Sequence, residues 1–180
     1  VCGAFSSFIV YFANNKEGMQ TIAYWMMGSL AGAQWGELAV IAPIIVASIL
    51  FFWTQSRVLN LMLLGDESAI TMGTDLHAYR QWYLLISSLI VGFAVYSAGM
   101  IGFVGLIVPH VIRMFTGPDH KRLLPVAALV GAIFLVVADG LCRVIIPHTE
   151  LPIGILISMI GAPSFIYLMI KKTYGFGGSD

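Results

Sequence analysis

The sequence predicts an all-α protein, a polytopic membrane helical bundle of about six transmembrane segments. Three observations predict it. Hydrophobic residues make up 59% of the 180-residue chain and charged residues 10%, against roughly 45–50% and 25% in soluble domains. The apolar residues gather in long runs separated by short polar stretches. The basic residues fall mostly on one side of the alternating path that those runs describe. The formal net charge is zero, which leaves no basic surface for nucleic acid.

A helical span needs about 20 apolar residues to cross a hydrocarbon core about 30 Å thick. The first candidate is Val1–Ala13. It is short and opens without methionine, basic n-region or cleavage site, so the expectation is a start within a longer chain. The stretch 14–35 contains TIAYWMMGSLAGAQW, too short and glycine-interrupted to span, and is predicted as an interfacial or re-entrant helix. Glu37–Trp53 is the second span. Gln55–Gln81 is a loop. Trp82–Gly99 is the third span. Ile101–Phe115 is the fourth, short and predicted to be broken or kinked by Pro109. Leu123–Ile146 and Ile153–Ile170 complete the set. One domain over 1–172 and a polar tail over 173–180 follow.

Placing 55–81 in the cytoplasm puts Arg57, Arg80, Arg113, Lys121, Arg122, Lys171 and Lys172 inside, together with the C-terminus. Only Lys16 and Arg143 of the nine basic residues are then outside, the bias expected of a membrane protein. Trp25, Trp35, Trp53 and Trp82 all fall near predicted interfaces, as aromatic belts do.

The 55–81 loop is long for a helix connection. Its apolar residues, including Leu61, Leu63, Leu64, Ala69 and Met72, are punctuated by Gly65 and Gly73. That pattern predicts two short helices and a turn. They either dock a cytoplasmic partner through apolar side chains or lie flat on lipid. Pattern alone weighs the two evenly.

Other candidates follow from residue type and spacing. Gly99, Gly102 and Gly105 recur every three residues near one helix face, and Gly131 follows Ala127 by four. Small residues at such intervals let helices approach closely. Gly161-Ala162-Pro163 is expected to bend the last helix. Asp139 and Arg143, four apart, share a face and can pair. Arg143 can instead reach an external partner, and Glu150 can join it or brace the following turn. His110 is expected to bond carbonyls freed by Pro109, and His120 to be solvated in its turn. Cys2 and Cys142 match no metal or redox spacing, and no metal site is predicted. Ser87 or Ser88 with His110 and Asp139 would suit an intramembrane hydrolase, but no nucleophile elbow surrounds the serines. No G-x-x-x-x-G-K-[ST] loop is present, so any ATP would be hydrolysed elsewhere. A passive pore would need charged rings or a carbonyl filter, and neither is seen.

Several motifs then resemble one family, in order, from about Gly3 to Lys172. They are Trp25-Met26-Met27-Gly28-Ser29-Leu30, Leu64-Gly65-Asp66-Glu67-Ser68-Ala69, and Ile101–Pro109 with His110 and Arg113. The turn Gly117-Pro118-Asp119-His120, Leu124-Pro125, Glu150-Leu151-Pro152-Ile153-Gly154 and Gly161-Ala162-Pro163 complete them. Together they resemble the iron-chelate uptake permeases, the membrane subunits of ATP-binding-cassette (ABC) importers for siderophores, haem and vitamin B12. The resemblance implies the C-terminal part of a ten-helix fold in the bacterial inner membrane, paired with a second permease copy. It implies an ATPase partner that uses ATP and magnesium, an external substrate-binding protein, and no cofactor bound by this chain. It maps the ATPase-coupling element onto Leu63–Thr74, with Leu63, Leu64, Gly65, Asp66, Glu67, Ser68, Ala69, Met72 and Gly73 as contact residues. It favours Arg143 as the binding-protein contact. An inactive permease fragment is the remaining alternative.

Overall fold

The computed structural model describes Phe8, residues 16–65, Ala69, residues 71–145 and residues 151–174. Seven helices and no strand occur among them. They are α1 (Lys16–Met27), α2 (Trp35–Thr54), α3 (Ser56–Leu63), α4 (Leu76–Ala98), α5 (Val104–Thr116), α6 (His120–Ile145) and α7 (Ile153–Tyr174). The all-helical prediction holds. The first predicted span and the predicted tail after Tyr174 lie outside the described residues, Phe8 excepted.

Among the described residues, three helices are long and apolar enough to cross a membrane: α2, α4 and α6. Their 20, 23 and 26 residues correspond to about 30, 34 and 39 Å. α5 and the described apolar part of α7 are shorter. α5, with 13 residues, reaches only about 20 Å.

Local chemistry sets the ends. Asp75 caps α4 by accepting the His77 N–H at 2.9 Å, as short polar side chains do at helix N-termini. The chain leaves α5 through Gly117, whose N–H returns to the Arg113 carbonyl at 3.0 Å. Asp119 then accepts the Lys121 N–H at 3.0 Å and starts α6. α2 stops at Gln55 and α3 begins one residue later.

Pro109 does not break its helix. α5 runs through it from Val104 to Thr116, which corrects the expectation of a proline-broken segment. The residue four before it is Gly105, which has open space where a side chain would stand among the described residues. What holds the helix across the proline is packing, since Val108 and Ile112 on either side of it are buried against Leu123.

α6 packs against α2, α3, α5 and α7, so it is the hub of the described bundle. One buried cluster joins Ala138 and Cys142 of α6 to Ile153 and Ile157 of α7, with Phe103 and Phe134 against it. A second joins Val108 and Ile112 of α5 to Leu123 of α6. Outside these clusters the helices present large apolar side chains outward, such as Leu84, Leu129 and Val136. Water cannot be the intended solvent for such surfaces. Lipid or further helices can.

Grooves lie between helices among the described residues. A cleft of about 730 Å³ separates α2 from α4, lined by Val40, Ile41, Leu89 and Phe93 with Glu37 at its edge. A second, of about 330 Å³, lies among α2, α4, α5 and α6 and is lined in part by Gly105 and Gly131.

Candidate functional site

The bundle has two chemically distinct ends. At one, the end of α2, α3 and the start of α6 converge. Trp53 Nε1 donates to the Lys121 carbonyl oxygen at 3.0 Å. Tyr83 of α4 donates its hydroxyl to Gln55 Oε1 at 3.1 Å, and its ring stands edge-on to Phe51 and Phe52.

Asn60, in α3, is the centre of this end. Its Nδ2 donates to Asp119 Oδ1 at 2.7 Å. Its oxygen accepts the His120 backbone N–H at 2.9 Å and lies 2.8 Å from His120 Nδ1. The amide can face only one way. Turned over, it would set its oxygen against a carboxylate and its NH₂ against a backbone N–H. His120 Nδ1 therefore carries a proton and donates. The Asn60 amide and the Lys121 N–H hold the Asp119 carboxyl below its ordinary pKa, and the Arg122 and Lys121 charges add to the effect. His120 is thus half-buried and bonded, not solvated in its turn as expected. The physical reason is that α3 lies against the start of α6 and covers the ring.

The predicted coupling element extends from this anchored helix. Leu63, Leu64 and Met72 are exposed apolar side chains. Gly65 and Gly73 have left-handed backbones, φ 90° and 76°, with open space around them. Ala69 has no exposed surface at all, so it supports the element from within. Asp66, Glu67 and Ser68 lie outside the described residues.

At the opposite end three motifs meet that are far apart in the chain. Met100 N–H donates to the Trp25 carbonyl at 3.3 Å, and Ser29 N–H to the Ala98 carbonyl at 2.9 Å. A Cβ on Gly99 would overlap the Trp25 carbonyl oxygen, and one on Gly154 would overlap that of Met27. Gly99 also has φ 71°. The end of α1, the turn after α4 and the start of α7 therefore interlock through backbone. Gly161 abuts Phe103, whose own backbone is left-handed at φ 63°. A non-glycine residue rarely takes that conformation.

The other packing candidates differ. A Cβ on Gly131 would make ordinary contact with Val108 at 3.9 Å. Gly102 and Gly105 meet nothing within 4 Å among the described residues, so the close approach expected of them is not made there. Pro163 lies within α7.

Arg143 Nε bonds Asp139 Oδ2 at 2.8 Å near this second end. The arginine side chain remains 52% exposed, so it can still meet a partner. Glu150 lies outside the described residues. The hydrolase candidates do not assemble. The residues flanking His110 by two on each side, Val108 and Ile112, pack at Leu123, and Asp139 is about 24 Å further along α6. Ser88 Oγ is turned back to the Leu85 carbonyl at 2.8 Å. The His110 ring makes no hydrogen bond among the described residues, so the predicted bond to freed carbonyls is not seen. No group of three potential metal ligands occurs among the described residues.

Sequence reasoning missed Asn60 as an anchor. It also missed the contact of Gly154 with the Met27 carbonyl, although both residues lie in the motifs that carried the resemblance. Asn60 had no local signal, because its partners are some sixty residues away.

The FecCD transport family profile matches residues 1–171. The hemin transport system permease protein HmuU of Yersinia pestis is 40% identical over 172 residues, 96% of this chain and 51% of its own length. The cobalamin import system permease protein BtuC of Halobacterium salinarum is 42% identical over 167 residues, 93% of this chain and 44% of its own. The iron(3+)-hydroxamate import system permease protein FhuG of Bacillus subtilis is 43% identical over 149 residues, 83% of this chain and 44% of its own. The chain thus spans about half the length of these relatives. A solved metal-chelate type ABC transporter in an inward-facing conformation superposes with TM-score 0.87 and 34% identity, over 94% of this chain and 55% of that one.

Proposed function

Because this chain belongs to the FecCD transport family, we propose that it is membrane-spanning permease sequence of an ABC importer for a siderophore, haem or cobalamin type of chelate. One observation carries the reading beyond family membership. At the Asn60 end, a helix bonded to the bundle hub leads directly into an element with exposed Leu63, Leu64 and Met72. Apolar side chains on a short element suit a groove in a partner protein. An ATPase subunit is the partner proposed, and it would use ATP and magnesium while this chain binds no cofactor of its own.

Charge supports the orientation. Arg57, Arg113, Lys121 and Arg122 belong to helices or helix ends at the Asn60 end, and Arg80 is in the first turns of α4. The positive-inside rule then puts that end, and the C-terminus, in the bacterial cytoplasm. The Arg143 end would face the substrate-binding protein, with Arg143 and Glu150 offered to it. A second permease copy and lipid would cover the outward apolar faces. Residues 1–172 would form the permease domain, 55–81 its coupling loop and 173–180 a cytoplasmic tail.

The test is reconstitution of the permease that carries this sequence with its ATPase and binding protein. ATP-dependent uptake of ferric hydroxamate, haem or cobalamin is expected. A permease that neither retains an ATPase nor takes up any of the three would overturn the proposal.

A further inference from the structure

We propose that Asn60 is a positioning residue that joins the coupling loop to α6, so that displacement of α3 moves the hub helix of the bundle. The inference rests on the transport reading above. It goes beyond that reading by assigning the transmission step to one side chain.

The geometry leaves few other routes. α3 is eight residues long, and among the described residues its main packing is on α6 and then on α2, the helix it follows. Its polar link to the bundle is Asn60. That amide uses both its ends, one on the Asp119 carboxylate and one on two His120 donors. Asp119 Oδ1 also accepts the Lys121 N–H that starts α6. A shift of α3 therefore takes one bond from the Asp119 carboxylate and leaves a backbone N–H and an imidazole N–H without their acceptor at a part-buried site. Moving α6 with α3 avoids this. Hydrogen bonds to charged groups are the stronger kind and hold direction, so the link resists rotation as well as separation.

α6 is the right recipient. It contacts α5 and α7 as well as α2, and it runs unbroken from His120 to Ile145, past Asp139 and Arg143. A displacement received at its first turn reaches the opposite end of the bundle as a rigid-body motion.

The experiment uses the permease assembled with its ATPase and binding protein, and compares N60D, D119N and N60D/D119N. N60D replaces the amide donor by a second carboxylate at hydrogen-bond distance, where the two repel or must take up a proton. D119N keeps an acceptor for the Asn60 amide and for Lys121. The double variant restores a donor–acceptor pair with the charge reversed in position. We expect N60D to retain its ATPase and hydrolyse ATP within about twofold of wild type, while chelate taken up per ATP falls at least about tenfold. D119N should stay within about threefold and the double variant should recover most of the lost ratio. If N60D does not accumulate in the membrane, N60A, which removes the bonds without adding charge, is read in its place against the same threshold. An unchanged uptake-to-ATP ratio in N60D or N60A overturns the proposal, as does a double variant no better than N60D. Loss of ATPase association by the unmodified permease would instead overturn the transport reading, so the two failures are distinguishable.

Discussion

The indole nitrogen of Trp53 donates to the carbonyl oxygen of Lys121 at 3.0 Å, tying the last turn of α2 to the first turn of α6. This bond stands beside the Asn60 link but joins two spanning helices directly. Trp53→Phe keeps most of the ring and loses the donor. It should destabilise the bundle by about 1 kcal/mol. Thermal unfolding in detergent measures this, and an unchanged midpoint would show that the bond contributes nothing.

Gly99→Ala should cost more than about 2 kcal/mol, because a left-handed backbone and a carbonyl overlap oppose the added methyl together. Gly154→Ala is the sharper test of sign. At an ordinary helical position this change stabilises by up to about 1 kcal/mol. Here the Met27 carbonyl blocks the methyl, so destabilisation is expected. Gly102→Ala, with open space around it, serves as the neutral control. A stabilised G154A variant would refute the interlocked junction.

Leu64→Glu should abolish co-purification of the ATPase while leaving the permease folded, since Leu64 is exposed. Ala69→Glu should fail differently. A buried position cannot take a charge, so lower membrane abundance is expected along with lost association. An L64E variant that still holds the ATPase would remove the docking assignment.

Arg143→Glu should weaken attachment of the binding protein and leave ATPase attachment unchanged. Its stability should shift by less than about 1 kcal/mol, because an exposed i,i+4 pair such as Asp139–Arg143 is worth little. Equal binding-protein affinity after the reversal would leave the pair with only a local role.

Asp119 gives a pH signature. Its carboxyl is held below the ordinary value by the Asn60 amide first and the Lys121 N–H second. A depressed folded pKa stabilises the protein above the unfolded carboxylate value of about 3.9. That contribution disappears as the pH falls from there through the folded value. Wild type should therefore lose stability on acidification below about pH 4, and D119N should lose less. Unfolding midpoints measured between about pH 6 and 3 compare the two, and parallel curves would exclude Asp119 as the source.

Hydropathy carried the fold. α2, α4 and α6 follow from apolar run length, and their predicted limits differ from the observed ones by a few residues at most ends. α4 differs most, beginning at Leu76 and not Trp82. Its first turns, LHAYRQ, carry too much polarity for a span, but Asp75 caps them all the same. The helical stretch before Gly28 was legible as too short to cross, whereas its seat against Gly99 and Gly154 was not, because contact between distant backbones leaves no periodic trace. At the candidate site, the exposed apolar residues of the loop were readable from composition. Burial of Ala69 and His120 was not, since both depend on which element happens to cover them. The Asp139–Arg143 pair could be read from spacing alone, because both residues ride one helix.

The glycine junction at the Arg143 end also orders the birth of the protein. Trp25 and Ser29 can bond Met100 and Ala98 as soon as the turn at Gly99 has left the ribosome, whereas the Met27 carbonyl meets Gly154 only when α7 follows. The early helices can therefore pair first, and α7 then closes the junction over them. A nascent chain arrested before Leu151 should be protease-sensitive near Gly28, and one released after Gly161 should not.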